Sequence, residues 1–354
     1  MASSKLKIGM VGGGSISDLH LEAYSAHSNS SIIGICDRNL ERARAKAESY
    51  QAPFFCSDHH HLLAQPEIDA VVICTWNHTH ADIAISALEA GKHVFVEKPL
   101  STNLEDALRI QNAVKSTGKK LQVGFVRRFD PNVQVLRKFI AAGDLGEIYY
   151  AKASALRRLG NPGGWFAKKE ISGGGPLIDT GIHVIDTCWY LMGRPKAVSV
   201  SGNTYYSLGS RANVENLSFY KAADYDPATN DVEDMANALI RFENGASLFI
   251  DTSYTLHARE NVVSMKLYGE HGGAEIEPEF WMVSEKHGTI LNVQPQTDYL
   301  RLNIKQAFEN QVNHFIEYCL HDKTTEAPVE DGVEIMRVLS AIYESGRTGK
   351  EIVL

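Results

Sequence analysis

The spacing of apolar and polar positions changes near residue 125. Before that point, short β-branched runs alternate with segments of helical spacing. The runs predict five strands, at Leu6–Val11, Ile32–Cys36, Ala70–Cys74, Val94–Val96 and Leu121–Val123. The segments between them predict helices at Ile16–Ser28, Leu40–Tyr50, Thr79–Ala90 and Leu104–Thr117. Repeated βα units are typical of an α/β fold with a doubly wound parallel sheet, which we expect over residues 1–124.

Longer strands with short turns between them follow in the second half. The pattern predicts them at Ile148–Leu156, Ala197–Thr204, Asn237–Phe242, Ala246–Tyr254 and Val262–Tyr268. We therefore expect residues 125–354 to form an α+β domain with a large, mostly antiparallel open sheet, used for substrate binding and oligomerisation. Asn203–Asp231 reads as an exposed polar loop. Two late amphipathic segments should pack on the body, Asn303–Leu320 and Asp331–Ser345.

A glycine-rich turn directly follows the first predicted strand. Residues 12–17 read G-x-G-x-x-S, with Ser17 where a third glycine or alanine is usual. Gly12 permits a tight turn, Gly14 lets the backbone approach a pyrophosphate, and Ser17 is small enough for the helix to pack on the strand. The amino end of that helix would direct its N–H groups at the phosphates, through Ser15 and Ile16. The context predicts a dinucleotide-binding Rossmann domain.

The second predicted strand ends in Asp37, about twenty residues beyond the glycines. A carboxylate at this place accepts hydrogen bonds from a ribose diol and repels a 2′-phosphate, which favours NAD over NADP as the cofactor. Arg38 could offset that repulsion, stack on the adenine, or lie in solvent before the next helix.

Glu97-Lys98-Pro99 follows the strand predicted at Val94–Val96. The proline stiffens a turn at the carboxyl end of a strand, where open α/β sheets bind ligands. A lysine fixed there, in a chain with a nicotinamide cofactor, indicates a dehydrogenase.

A second candidate group lies in residues 173–186, where a glycine run precedes a helix predicted to begin near Pro176. Asp179 and His183 are four residues apart and share a helix face, with Asp186 one turn later. A carboxylate beside an imidazole stabilises its protonated form and holds its orientation, as a general base requires. An ordinary helical carboxylate–histidine pair is the alternative. The Lys98 turn in the same chain favours the general base.

Composition excludes several classes of function. The 354 residues carry a net charge of −8 without a long basic run, which disfavours nucleic acid and anionic membranes as partners. No apolar run approaches the ~20 residues that span a bilayer, and the short segment before the first strand leads us to expect no signal peptide. The five cysteines lack C-x-x-C spacing, so we expect reduced thiols in a cytoplasmic protein.

The tract His59-His60-His61 resembles a metal-binding sequence. Consecutive histidines on a helix point in different directions, however, and Asp58 is suited to cap that helix. We therefore expect a solvated first turn here and no metal site.

Five stretches carry a specific resemblance to a known family. They are GGGSISDLH at Gly12–His20, TWNHTH at Thr75–His80, AGKHVFVEKPL at Ala90–Leu100, GFVRRFDP at Gly124–Pro131 and GGGPLIDTGIHVID at Gly173–Asp186. The chain resembles the Gfo/Idh/MocA oxidoreductases over essentially its full length, and EKP with D-x-x-x-H is specific to them. GFVRRFDP is most similar to inositol dehydrogenase-like sugar and polyol enzymes. The departures are Ser17, in place of glycine or alanine, and Gly13, in place of a frequent cysteine.

The resemblance implies a role for each matching residue. Lys98 would hydrogen-bond the reacting hydroxyl and stabilise its developing charge, and His183, oriented by Asp179, would take its proton. Glu97 would lie near the nicotinamide ring, and Arg127 where cofactor and substrate meet. The loop along the nicotinamide half would comprise Thr75, Trp76, Asn77 and His80. Trp165 could offer the flat apolar face of its ring to a sugar. The alternative is that its side chain packs in the core.

We expect an NAD(P)-dependent sugar or polyol dehydrogenase. One alternative is an enzyme that retains its cofactor and oxidises one carbon of a glycoside, forming for example a 3-keto sugar. Another is a non-catalytic sugar sensor with the same fold, which intact Lys98, Asp179 and His183 disfavour.

The second sheet also predicts assembly. Apolar residues recur along its strands at Val198, Val200, Leu239, Phe242, Leu248 and Ile250. A sheet face with that content and no helices over it would be an apolar patch that monomers seldom expose. We expect a homodimer or homotetramer through this face, unless the two late helices cover it.

Overall fold

The computed structural model describes residues 5–211, 214, 217, 221–321 and 323–354. It divides into two compact units. The first comprises the chain up to Phe129 together with Ile304–Met336, and the second comprises Asp130–Asn303 together with Arg337–Leu354. None of the helices in the described ranges is long and apolar enough to cross a membrane.

The strands, in chain order, are β1 (Leu6–Val11), β2 (Ser30–Cys36), β3 (Phe54–Cys56), β4 (Ala70–Ile73), β5 (His93–Glu97), β6 (Leu121–Gly124), β7 (Ile148–Leu156), β8 (Ala197–Tyr205), β9 (Met235–Phe242), β10 (Ser247–Ser253), β11 (Val262–Gly269), β12 (Gly272–Glu277), β13 (Trp281–Lys286), β14 (Thr289–Val293) and β15 (Ile352–Val353).

The α-helices are α1 (Ser15–Ala26), α2 (Leu40–Ser49), α3 (His59–Leu63), α4 (His80–Glu89), α5 (Leu104–Thr117), α6 (Pro131–Ala141), α7 (Lys169–Ser172), α8 (Ile182–Leu191), α9 (Ile304–Leu320) and α10 (Val329–Thr348). Short 3₁₀ turns occur at Asn77–Thr79, Val126–Phe129, Gly164–Ala167 and Pro227–Thr229, and a π-helical turn occurs at Leu177–Gly181.

The first unit contains a parallel sheet with the strand order β3-β2-β1-β4-β5-β6. This confirms the predicted Rossmann fold, and all five predicted strands are present. Their side chains are almost all buried, because helices cover a parallel sheet on both faces. The order reverses between β1 and β4, and such a switch point is where open α/β sheets bind ligands.

The chain returns to the first unit after residue 303. Along α9, the side chains of Val312, Phe315 and Ile316 are buried in the same apolar core as the parallel sheet, and the rings of Phe95 and Phe315 meet edge to face at 5.6 Å. The sequence predicted that Asn303–Leu320 packs on the rest of the protein, within a second domain of residues 125–354. In the structure, the helix of this segment belongs to the first unit. The segment joins the first unit because the apolar face of α9 is buried against the core of the parallel sheet.

The second unit contains a nine-stranded sheet with the order β14-β13-β12-β11-β7-β10-β9-β8-β15. Of its pairings only β7 with β10 is parallel, which confirms the mostly antiparallel sheet. Part of the predicted loop 203–231, namely residues 212, 213, 215, 216 and 218–220, lies outside the described residues. Asn203–Tyr205 continue β8 rather than starting the loop.

The apolar residues offered for assembly do not lie together on an open face. Four of the six are buried within the unit: Val200, Phe242, Leu248 and Ile250. The opposite face combines aromatic and charged side chains. The rings of Tyr150 and Tyr268 stack at 5.5 Å, and Lys152 lies over the ring of Phe249 at 5.7 Å. The argument that an exposed, purely apolar face of this sheet drives assembly is therefore wrong.

Candidate active site

The turn between β1 and α1 has the backbone that phosphate binding needs. Gly12 has φ +99°, and a Cβ there would lie 2.5 Å from the carbonyl oxygen of Cys74, so only glycine fits. A Cβ on Gly14 would meet no atom of the described residues within 4 Å. Ser17 is fully buried and donates a hydrogen bond to Gly14 O at 2.6 Å. The residues present therefore fit a bound pyrophosphate, and serine serves as the small third residue.

Asp37 lies beside this turn, at the carboxyl end of β2. Its carboxylate accepts hydrogen bonds from the N–H groups of Gly13, at 2.7 Å, and Asn39, at 2.8 Å. A carboxylate has about four acceptor sites, so capacity remains for a ribose hydroxyl. The guanidinium of Arg42 approaches Asp37 Oδ2 to 3.5 Å, whereas Arg38 is exposed. Arg42, in the first turn of α2, is a cation near Asp37 that was not predicted from the sequence.

The loop after β4 holds its shape through its own polar groups. The hydroxyl of Thr79 donates to Thr75 Oγ1 at 2.7 Å. The buried ring of His80 faces two carbonyl oxygens, Pro99 O at 2.7 Å from Nδ1 and Thr75 O at 3.1 Å from Nε2. Burial lowers the pKa of His80, against a smaller opposing effect of these contacts. Two side chains of the candidate set differ in exposure, with 44% for Trp76 and 7% for Asn77.

Lys98 follows β5, two strands along the same sheet edge from the glycine turn, and is half-buried. The carboxylate of Glu97 is buried and contacts His20 Nε2 at 2.7 Å. Its other oxygen accepts the Lys98 N–H at 3.1 Å. The contact between His20 and Glu97 was not foreseen from the sequence. That Glu97 approaches the nicotinamide remains a prediction.

In the second unit, Asp179 lies in the π-helical turn that precedes α8. The expectation of a regular α-helix from Pro176 was wrong at this point, and π turns occur frequently at functional sites. The phenol of Tyr254 donates to Asp179 Oδ2 at 3.0 Å. Burial, with the nearby Asp179 charge, raises the pKa of Tyr254. His183 is half-buried in the first turn of α8. That its side chain lies on the same face as Asp179 remains a prediction.

A buried carboxylate holds the start of that segment. Glu233 accepts hydrogen bonds from the N–H groups of Gly175, at 2.9 Å, and Leu177, at 3.1 Å, and from the phenol of Tyr343, at 2.9 Å. A Cβ on Gly174 would lie 2.0 Å from the Tyr343 hydroxyl oxygen. The glycine run is therefore needed for close approach. The role of Glu233 could not be predicted from the sequence around the glycine run, because Glu233 lies 58 residues from Gly175.

The remaining candidates have more varied surroundings. Arg127 is half-buried, while its neighbour Arg128 is fully buried and bonds to Asp331 and to Glu326 O, a structural role within the first unit. Trp165 is half-buried and its ring stacks on Phe166 at 4.0 Å. The roles of Arg127 and Trp165 remain predictions.

The structure confirms that Asp58 caps α3, since its side chain accepts the His60 N–H at 2.9 Å. One ligand atom from each of Asp58, His59 and His60 lies within 4.8 Å of the others, with Asp58 and His60 exposed. The absence of a metal here stays a prediction.

Comparisons with known proteins bear on these two groups of residues. An oxidoreductase family with an NAD-binding Rossmann fold, GFO/IDH/MocA, matches residues 6–125, and the GFO/IDH/MocA C-terminal domain matches residues 133–275. The D-glucoside 3-dehydrogenase of Escherichia coli (strain K12) is 33% identical over 100% of this chain and 99% of its own length. The scyllo-inositol 2-dehydrogenase (NAD(+)) of Bacillus subtilis (strain 168) is 31% identical over 91% of this chain and 88% of its own.

Solved structures share the fold. Levoglucosan dehydrogenase, in complex with NADH and levoglucosan, superimposes with a TM-score of 0.85 at 24% identity, covering 99% of both chains.

Proposed function

The chain belongs to the Gfo/Idh/MocA family of NAD-binding oxidoreductases, and we propose that it oxidises a hydroxyl-bearing carbon of a sugar or ring polyol. The observation that carries this proposal is the common sheet edge on which the Gly12 turn and Lys98 lie, at the carboxyl ends of β1 and β5. A lysine at the same sheet edge as a dinucleotide-binding turn suits a reaction that develops negative charge on an oxygen.

In this proposal Lys98 hydrogen-bonds the reacting hydroxyl and stabilises the alkoxide as it forms. His183 accepts the hydroxyl proton, and Asp179 holds the imidazole in position. Tyr254 supports this assignment, because its hydrogen bond fixes one oxygen of Asp179. Arg127 and Trp165 would contact the substrate, the first through its charge and the second through the face of its ring.

The residues proposed to hold NAD come from the carboxyl ends of five neighbouring strands, β2, β1, β4, β5 and β6. The pyrophosphate would lie on the turn and helix start of Gly12, Gly14, Ser15 and Ile16, and the ribose would bind Asp37, with Arg38 beside it. The nicotinamide half would bind Thr75, Trp76, Asn77, His80, Glu97, Lys98 and Arg127. The redox chemistry, acceptance of a hydride from the substrate carbon, is supplied by bound NAD. The Asp37 carboxylate supports NAD over NADP.

A glycoside is the second candidate substrate. The relative named D-glucoside 3-dehydrogenase is the observation that favours it, since it aligns over the whole chain. Such an enzyme would form a 3-keto sugar and could retain its cofactor between turnovers. The GFVRRFDP segment, at Gly124–Pro131, instead supports an inositol-like polyol.

A steady-state screen separates these functions. Absorbance at 340 nm is followed with NAD or NADP and a panel of inositols, glucose, methyl glucosides and levoglucosan. Turnover with an inositol supports the first proposal, and turnover with a glucoside supports the second. Lys98→Ala and His183→Ala serve as inactive controls. A protein that binds a sugar of the panel but shows no change at 340 nm, either in steady state or with one equivalent of bound NAD, would be a sensor, and the proposal would be wrong.

A further inference from the structure

A buried histidine of α1 contacts the carboxylate that precedes Lys98. His20 is fully buried, and its Nε2 lies 2.7 Å from Glu97 Oε1. The two residues are 77 positions apart in sequence. A carboxylate only accepts hydrogen bonds, so the proton between these atoms resides on Nε2. The contact joins the helix that begins at the glycine turn to the strand that ends at Lys98.

The second oxygen of Glu97 also has a hydrogen-bond partner. It accepts the backbone N–H of Lys98 at 3.1 Å. On the other side lies Gly124, the register partner of Glu97 on β6. A Cβ on Gly124 would lie 2.9 Å from Glu97 Oε2, so glycine leaves room for the carboxylate and for little else. Both oxygens of Glu97 are thus satisfied in this arrangement, and Gly124 leaves the space that it needs.

Aromatic rings fix the orientation of the imidazole. Phe95 and Phe308 meet the His20 ring edge-on, with centroids at 4.9 and 5.0 Å. His20 Nδ1 is buried and has no hydrogen-bond partner among the described residues. A buried polar atom without a hydrogen-bond partner is unfavourable, so a histidine at this position calls for an explanation beyond packing. The stabilising contact of its polar edge is the one to Glu97.

We propose that His20 is a positioning residue for Lys98, acting through Glu97. This inference rests on the proposed role of Lys98. While His20 donates to Oε1, the carboxylate stays turned towards the Lys98 backbone and fixes the start of the turn. Without that donor, a buried carboxylate lacks a partner for one oxygen, and the next residue in the chain, Lys98, carries an ammonium on a long side chain. Glu97 would then draw the ammonium away from the substrate hydroxyl.

Trace labelling of lysines with acetic anhydride, read by peptide mass spectrometry, tests this without any turnover. In His20→Leu the ammonium of Lys98 would be held in an ion pair, so we expect Lys98 to react several-fold more slowly than in the wild type, relative to exposed Lys5. His20→Gln keeps an N–H near the position of Nε2 and should restore the rate. Tyr24→Phe is the matched control, because Tyr24 is equally buried on α1 and does not hydrogen-bond Glu97.

Kinetics give the second readout. A misplaced catalytic group costs up to about 100-fold, so we expect kcat of His20→Leu to fall about 10- to 100-fold while the Kd for NAD stays within about threefold. If His20→Leu does not fold, His20→Asn, which withdraws the donor from Glu97, takes its place. Wild-type labelling of Lys98 in the donor-less variant, or an equal loss in Tyr24→Phe, would overturn the inference. Absence of sugar turnover in the wild type would refute the proposed function and leave the labelling result decisive for His20.

Discussion

The phenol of Tyr254 donates a hydrogen bond to Asp179 Oδ2 over 3.0 Å. Tyr254 follows the end of β10 and is buried, whereas Asp179 lies in the π-helical turn before α8. A hydrogen bond to a charged group in such surroundings contributes about 1.5–3 kcal/mol. The pair thus gives the proposed catalytic carboxylate a fixed orientation within one compact unit.

Tyr254→Phe removes this donor and little else. We expect kcat to fall about 10-fold or more, because Asp179 loses the partner that orients it towards its role. The Kd for NAD, measured by fluorescence titration, should stay unchanged, since the cofactor residues lie on the first unit. A variant with wild-type kcat would show that Asp179 needs no help from Tyr254.

The carboxylate of Glu233 gives a prediction about stability. Burial raises the pKa of Glu233 from its ordinary value of 4.5, although its hydrogen bonds oppose that shift. The folded state therefore binds the proton more tightly, and stability is lost as pH rises from about 4.5 through the raised folded-state pKa. Tyr343→Phe removes one donor to the carboxylate, which raises that pKa further.

We expect Tyr343→Phe to lower the free energy of unfolding by about 1–3 kcal/mol at neutral pH. The difference from the wild type should be smallest below pH 4.5, where Glu233 is protonated in both states, and should grow as the pH rises. Urea unfolding at a series of pH values measures it. A difference that is constant with pH would mean that the phenol contributes packing alone.

The cofactor preference depends on Asp37 and on the cation near it. Asp37→Ser keeps an acceptor for the Gly13 N–H and removes the charge that repels a 2′-phosphate, so we expect the NADP/NAD ratio of kcat/KM to rise. Adding Arg42→Ala should cancel much of that gain, because the guanidinium of Arg42 lies 3.5 Å from Asp37 Oδ2 and would face a 2′-phosphate bound there. Adding Arg38→Ala instead is the matched control. An unchanged ratio in Asp37→Ser would show that Asp37 does not contact the ribose.

The strand pattern predicted the parallel sheet closely. Leu6–Val11 and Leu104–Thr117 coincide with β1 and α5, because buried strands and amphipathic helices carry local periodic signals. β3 was missed, since three residues are too few to show a period. The π-helical turn was missed as well, because its hydrogen-bond pattern has no signature in residue spacing.

The site was predictable where it follows a strand end or a motif. Gly12, Asp37 and Lys98 lie where the alternation of strands and helices implies. Contacts between distant parts of the chain were not found, and two of these are the contact of His20 with Glu97 and that of Glu233 with the Gly175 N–H. The partners lie 77 and 58 positions apart, and tertiary contacts at such separations leave no mark on a single sequence.

Assembly remains a prediction, now on a different physical basis. The open face of the nine-stranded sheet bears the stacked rings of Tyr150 and Tyr268 and the ring of Phe249. Tyrosine and phenylalanine are enriched at interfaces between subunits relative to the rest of a protein surface. We expect light scattering to give two or four times the chain mass of 39.1 kDa, and Phe249→Asp to lower it. A wild-type mass near 39.1 kDa would rule out assembly through this face.

Hydride transfer to bound NAD is the central claim, and a single-turnover measurement tests it most directly. The protein is mixed with one equivalent of NAD, each sugar or polyol of the panel is added, and absorbance is followed at 340 nm, so that a cofactor retained on the protein is also detected. The account predicts that at least one compound raises the absorbance by up to one equivalent of NADH, and that Lys98→Ala loses this rise. Wild-type protein that binds NAD and shows no rise with any compound of the panel would contradict it.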